Sequence, residues 1–154
     1  VNEFKGLPHR QEILFSNKKI ICVNDSKATS FDASLQCLQN YNKIYWILGG
    51  LPKYQDHLDL RKISKKVIKA YIIGKDPTFF SKQLQKKIPF MISHNIKKAL
   101  KNIYYDLKNA NKDEKSTILL SPAAASFDQF QNFEERGNQF KFLLRKVFKN
   151  LLYV

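Results

Sequence analysis

Sulfur and histidine are scarce in this chain. Its 154 residues include 2 Cys, 1 Met and 3 His. Cys22 and Cys37 show no regular spacing, so no disulfide framework is indicated, and both are expected to be reduced thiols packed as small hydrophobes. His9, His57 and His94 stand far apart, with no Cys or carboxylate cluster at metal-ligand spacing, which argues against a metal site built wholly by this chain. No apolar run approaches the roughly 20 residues of a membrane-spanning helix. Residues 1–10 lack the charged-then-apolar layout of a secretory signal, so a cytoplasmic location is expected. The chain does not open on Met and is expected to be a fragment, a processed form or an excised domain. Phosphate-loop, dinucleotide and nucleophile-elbow patterns are all missing, and a catalytic triad built on Ser126 is therefore not supported.

Acidic residues are also in short supply: 13 Asp and Glu stand against 27 Lys and Arg, for a net charge of +14. Such a balance invites a nucleic-acid reading. Only Arg10, Arg61, Arg136 and Arg145 are arginines, however, and the lysines are spread along the chain in short clusters. Together with heavy use of Asn and Ile, this points to a compositional bias that leaves much of the charge on a solvated surface. A basic nucleic-acid-binding α/β module remains the alternative reading. The length and the 44% apolar share suit one domain, residues 1–154, with a real core, and a monomer is expected.

What is present is an alternation of short apolar runs and amphipathic segments. Glu12 to Phe15 and Lys19 to Val23 read as a hairpin about Asn17-Lys18. Ser30 to Gln39 reads as a helix, Ile44 to Leu48 as a strand, Leu60 to Lys66 as a short helix and Val67 to Ile73 as a strand. Asp76-Pro77 signals a helix start, with Asp as cap, running to about Lys86. Pro89 to Ile92 is a strand, and Asn95 to Ala110 is a helix with Ile96, Leu100, Ile103 and Leu107 on one face. Thr117 to Leu120 is the last strand, and a terminal helix begins near Asn132. The pattern predicts a three-layer α/β sandwich: a mostly parallel sheet of about six strands, covered on both faces, with one antiparallel edge strand.

In such a sheet ligands gather beyond the carboxyl ends of the strands. Three loops there are unusual. Asn24-Asp25-Ser26-Lys27-Ala28-Thr29 joins a strand to a helix, where free N–H groups attract anions. Gly49-Gly50 precedes Lys53, and the glycines are expected to let the backbone approach a ligand. Ser121 to Ser126 leaves space at a strand end. Lys27, Lys53, Thr29 and Ser126 together suit a small anionic ligand. Glu134-Glu135 sit at a helix start and suit its dipole.

These motifs carry a resemblance. Gly6-Leu7-Pro8-His9-Arg10, the Asn24 to Thr29 turn, Gly49-Gly50 with Lys53, and the stretch from Leu120 to Gly137 occur in an order and spacing similar to the C-terminal domain of the D-glutamate-adding branch of the Mur ligase family, the UDP-N-acetylmuramoyl-L-alanine–D-glutamate ligases of peptidoglycan synthesis. The resemblance covers essentially the whole chain. It implies a Rossmann-like domain of a larger enzyme. The N-terminal UDP-sugar domain and the central ATP- and Mg2+-binding domain would lie outside this chain, which alone would be inert. It also implies that ATP activates the UDP-N-acetylmuramoyl-L-alanine carboxylate as an acyl phosphate, which the amine of D-glutamate attacks. By matched positions, Thr29, Lys53, Ser126 and Phe127 resemble the residues that hold D-glutamate, with Phe133 lining the same pocket. Lys27 resembles the lysine facing the reacting centre. Arg10 and Asp25 resemble residues that close over the nucleotide, and His9 is read as a structural neighbour. Departures are Leu51-Pro52 after the glycines, which stiffens the loop carrying Lys53, Ser30 where Asn is frequent, and Ala124 where Cys is frequent. A different Mur ligase is the nearer alternative; the stretch after Leu120 argues against it.

Overall fold

The computed structural model describes residues 7–111 and 113–149. Gly6 of the first motif lies outside the described residues. Strand β1 (Glu12–Ser16) pairs antiparallel with β2 (Ile20–Asn24). Asn17 makes the turn, its Oδ1 accepting the N–H groups of Lys19 and Ile20, both at 2.8 Å. The remaining strands are β3 (Ile44–Gly49), β4 (Val67–Ile73), β5 (Phe90–His94) and β6 (Ser116–Leu120). All six form one sheet in the order β1-β2-β6-β3-β4-β5, parallel except for the first pair. The predicted α/β sandwich with one antiparallel edge strand is what the chain forms.

Helices α1 (Phe31–Leu38), α2 (Pro77–Leu84), α3 (Ile96–Lys108) and α4 (Phe133–Val147) divide between the two faces. Right-handed crossovers decide which goes where. The chain moves one way across the sheet from β2 through α1 to β3 and from β4 through α2 to β5. It returns from β5 through α3 to β6, so α3 must lie on the opposite face. Accordingly Phe31, Leu38, Phe80 and Leu84 share one core cluster with Trp46, while Ile96, Leu100, Ile103, Phe140 and Leu144 share the other with Tyr71. Trp46 is fully buried and satisfies its indole N–H on the Ser121 carbonyl, 2.7 Å away. Cys22 and Cys37 are buried free thiols, and burial pushes the Cys22 thiol up to about 12.

Three local expectations need correction. Leu60 to Lys66 is not an α-helix. Only Leu60–Lys62 forms a 3-10 turn, because Lys66 must already offer its carbonyl to the Ile44 N–H and Val67 must enter β4. Asp76 does not cap α2 with its side chain; its Oδ2 accepts instead from the Tyr54 hydroxyl at 2.9 Å. Helix α2 also stops at Leu84, before Lys86, whose φ of 64° is left-handed. The other helices carry side-chain caps, from Ser30, Asn95 and Asn132. Among the described residues no helix is long and apolar enough to cross a membrane.

Candidate functional site

The carboxyl ends of β2, β6 and β3 are neighbours in the sheet, so the loops leaving them share one edge. In the turn after β2, residues 24–26 face inward and bond within the protein. Asn24 is fully buried; its amide donates to His9 Nδ1 and to Glu12 Oε1, each at 3.0 Å, and its oxygen accepts the Ser26 N–H. With both amide hydrogens donated, His9 is fixed as the tautomer with a bare Nδ1. Burial first, then Lys141, holds the His9 pKa below its ordinary value, in agreement with that neutral ring. Glu12 also accepts the His9 N–H and pairs with Lys141 Nζ at 2.9 Å. Burial pushes the Glu12 carboxyl up, but these partners outweigh it and hold it below the usual value. Asp25, 4% exposed, accepts the Gln11 N–H at 3.1 Å and the Ser121 hydroxyl at 2.8 Å. Burial pushes its carboxyl above the ordinary range against those bonds and nearby Arg10. The segment through His9 and Gln11 is thus stitched over the turn, completed by the Lys27 N–H donating to the His9 carbonyl.

Residues 27 and 29 behave differently. Lys27 is exposed, with its ammonium 5.9 Å from the centroid of the Phe133 ring. Thr29 is half-buried. Among the described residues neither side chain is engaged in a hydrogen bond or ion pair. The helix start beyond them is less open to anions than the sequence suggests: Ser30 Oγ takes the Ala33 N–H and Asp56, from the loop after β3, takes the Phe31 N–H.

The Gly49-Gly50 turn corrects a second expectation. Both glycines have left-handed φ, 123° and 140°. A Cβ on Gly49 would collide with the Ile73 carbonyl and one on Gly50 with the Ala125 carbonyl. The close approach is to the neighbouring strand and loop, not to a ligand. It lets Leu51 and Ala125 form a two-way antiparallel bridge, at 2.9 and 3.1 Å. That bridge brings the stem of the Lys53 loop against the Ser121 to Ser126 loop. Lys53 is exposed with its side chain unengaged among the described residues, and Tyr54 ties the loop to Asp76.

Ser126 is 3% exposed, and its hydroxyl makes no hydrogen bond among the described residues. Its carbonyl starts a turn by accepting the N–H groups of Gln129 and Phe130. The N–H groups of Ser126 and Phe127 likewise point to no protein acceptor among the described residues. The Phe127 ring is 68% exposed, Phe133 is half-buried with His9 at its edge, and Arg10 is exposed. The edge therefore presents Lys27, Thr29, Lys53, Ser126 and two backbone N–H groups, all donors without a hydrogen-bond acceptor among the described residues.

One residue that holds this edge together is Arg136, to which sequence reasoning assigned no role. It is 1% exposed and sits in α4, yet its guanidinium reaches Ser26 and Ala124. Beside it, Gly137 leaves room for the His9 ring. The run Arg136-Gly137 at the end of the last motif was the available signal: an arginine beside a helical glycine, on the buried side of an amphipathic helix.

The fold and this edge define an α/β protein with an open rim of hydrogen-bond donors at the carboxyl ends of its strands. No family model matches the chain. It is 42% identical over 144 residues to the UDP-N-acetylmuramoylalanine–D-glutamate ligase of Phenylobacterium zucineum strain HLK1, covering 94% of this chain and 30% of that protein. The enzyme of that name from Rhizobium meliloti strain 1021 is 39% identical over 140 residues, covering 91% and 30%. That of the Wolbachia of Brugia malayi is 37% identical over 147 residues, covering 96% and 29%. The chain belongs to this family of ligases, and it spans about 30% of the length of the curated relatives it matches.

Proposed function

We propose that this chain is the C-terminal, D-glutamate-binding domain of a ligase that joins D-glutamate to UDP-N-acetylmuramoyl-L-alanine. The observation that carries the reading is the 42% identity over 94% of the chain to a ligase of that name. The rim supports it. A dicarboxylate needs separated sets of donors, and ammonium, hydroxyl and backbone N–H groups supply them. In this reading Lys53, Thr29, Ser126 and the Phe127 N–H hold the two carboxylates, and Phe133 lines the pocket. Lys27 faces the reacting centre, where it steadies charge as the amine attacks the acyl phosphate, the amide bond forms and phosphate leaves. Arg10, exposed beside the turn, meets the nucleotide; Asp25 acts there through the Gln11 N–H it holds, which orders Arg10. Among the described residues no group of three or more His, Cys, Asp or Glu side chains is placed to hold a metal ion. ATP, Mg2+ and the UDP-sugar are assigned to the remainder of a longer cytoplasmic protein, in which catalysis is positioning by domain closure.

Titration of the 154-residue chain with D- and L-glutamate, followed by amide NMR, tests this. Shifts confined to Thr29, Lys53, Ser126, Phe127 and their neighbours, larger for the D enantiomer, are expected. Equal responses to both enantiomers, or shifts scattered over both helical layers, would overturn the reading.

A further inference from the structure

Three segments at or behind the rim are the turn after β2, the loop after β6 and the first turn of α4. They converge on one buried group. Arg136 Nε donates to Ser26 Oγ at 3.0 Å, its Nη2 donates to the Ser26 carbonyl at 2.6 Å, and its Nη1 donates to the Ala124 carbonyl at 2.9 Å. The Ser26 hydroxyl passes its own hydrogen to the Phe133 carbonyl at 2.7 Å. Ser26 directly precedes Lys27, and Ala124 lies shortly before Ser126. A single planar fork therefore sets the separation between the two walls that would grip a ligand, and Ser26 locks the Phe133 end to the same frame.

A purely structural role explains this poorly. Burying a guanidinium costs several kcal/mol before its partners are counted, and an apolar side chain of similar volume often packs as well. Here the partners carry no formal charge, and Asp128 acts only at a distance. Burial lowers the Arg136 pKa to about 10, which still leaves a cation at neutral pH. What the guanidinium supplies and an apolar residue lacks is a rigid, directional link between two loops, plus a fixed positive charge behind an anion site.

We propose that Arg136 is a positioning residue that couples the Lys27–Thr29 wall to the Ser126 wall and so sets the spacing of the dicarboxylate pocket. The inference rests on the D-glutamate reading for its ligand, but the coupling can be measured without one.

The test compares Arg136→Lys, which keeps charge and loses the fork, Arg136→Met, which keeps only volume, and Leu144→Ala, a core truncation in the same helix at a residue 2% exposed. Amide hydrogen exchange on the free chain should rise at residues 24–29 and 121–126 together in both Arg136 variants, with β3 and β4 still protected. In Leu144→Ala it should rise globally, with no preference for the rim. D-glutamate should then bind Arg136→Lys about tenfold or more weakly, with the two walls responding at different midpoints, while Leu144→Ala keeps one midpoint and near-native affinity. Unchanged rim exchange in Arg136→Lys, or loss of affinity matched by Leu144→Ala, would overturn the proposal. If the unaltered chain ignores D-glutamate, the ligand reading fails, and the exchange data still decide whether Arg136 couples the walls.

Discussion

The turn after β2 and the loop after β3 each bring a lysine to the same edge of the sheet, but they are held there by different means. Around Lys27 the holding is done by side chains: Asn24, Asp25 and Ser26 are spent on His9, Glu12, Gln11, Ser121 and Arg136. Around Lys53 it is done by the lack of side chains, since Gly49 and Gly50 admit the Ile73 and Ala125 carbonyls where a Cβ would stand. The first arrangement is a polar network, sensitive to protonation. The second is a steric fit, sensitive to volume. Both leave the lysine without a hydrogen bond or ion pair among the described residues, and in the proposed function that is the point: rigid backing behind an available donor.

The two regions should therefore break differently. The largest effect should come from Gly49→Ala. The new methyl would also lie 2.9 Å from the Ile73 carbonyl carbon, both are backbone-bound, and the φ of 123° strains any L residue. A loss of about 3–5 kcal/mol, or failure to fold, is expected by urea denaturation. Asn24→Ala comes next. It strips buried hydrogen bonds from His9, Glu12 and Ser26 at once, and a loss of about 2–3 kcal/mol should be seen in the same assay.

A pH series separates the regions more finely. The Glu12 pKa is lowered in the native chain, so its contribution is present above the ordinary value of 4.5 and is lost as pH falls through the lowered value. The His9 pKa is lowered too, so the folded state prefers the neutral ring. Stability is therefore lost as pH falls below 6.5, where the unfolded chain takes up a proton first. Both act in one direction: acidification should raise amide exchange at Gln11 and Lys27 before it does so at Leu51 and Ala125. Exchange rising equally at both pairs would break the comparison, and Glu12→Gln should remove the lower-pH part of the difference. The smallest effect is expected from Tyr54→Phe. It removes one exposed hydrogen bond to Asp76, should leave the urea midpoint nearly unchanged, and should show chiefly as increased mobility of Lys53 by NMR relaxation.

Much of this architecture is legible in the chain. The apolar face of α3 is read directly from Ile96, Leu100, Ile103 and Leu107, and all four are buried. Asn132 caps α4 as its position suggests, and Glu135 reaches back to the Gln131 N–H. The hairpin about Asn17 and the runs forming β3 and β4 fall where alternation and apolarity place them. Leu60 to Lys66 misled because its spacing of apolar residues suits one turn of helix as well as several, and only the demand of β4 for an extended chain ended it early. Asp76 misled because a hydroxyl from Tyr54 competes for the same carboxylate.

Local rules thus settle what a segment can be. Periodicity, caps and turn residues act within a few positions, so the strands, the helices and the three loops at the rim could be located from the sequence, and the motif spacing pointed to the ligase family. Which segments meet was decided by the tertiary structure. The insertion of β6 between β2 and β3, the filling of the glycine spaces by protein rather than ligand, and the reach of Arg136 to Ser26, 110 positions earlier, depend on contacts between distant parts of the chain. A buried guanidinium is tolerated only where carbonyl and hydroxyl oxygens already stand around it, and only the folded sheet assembles them.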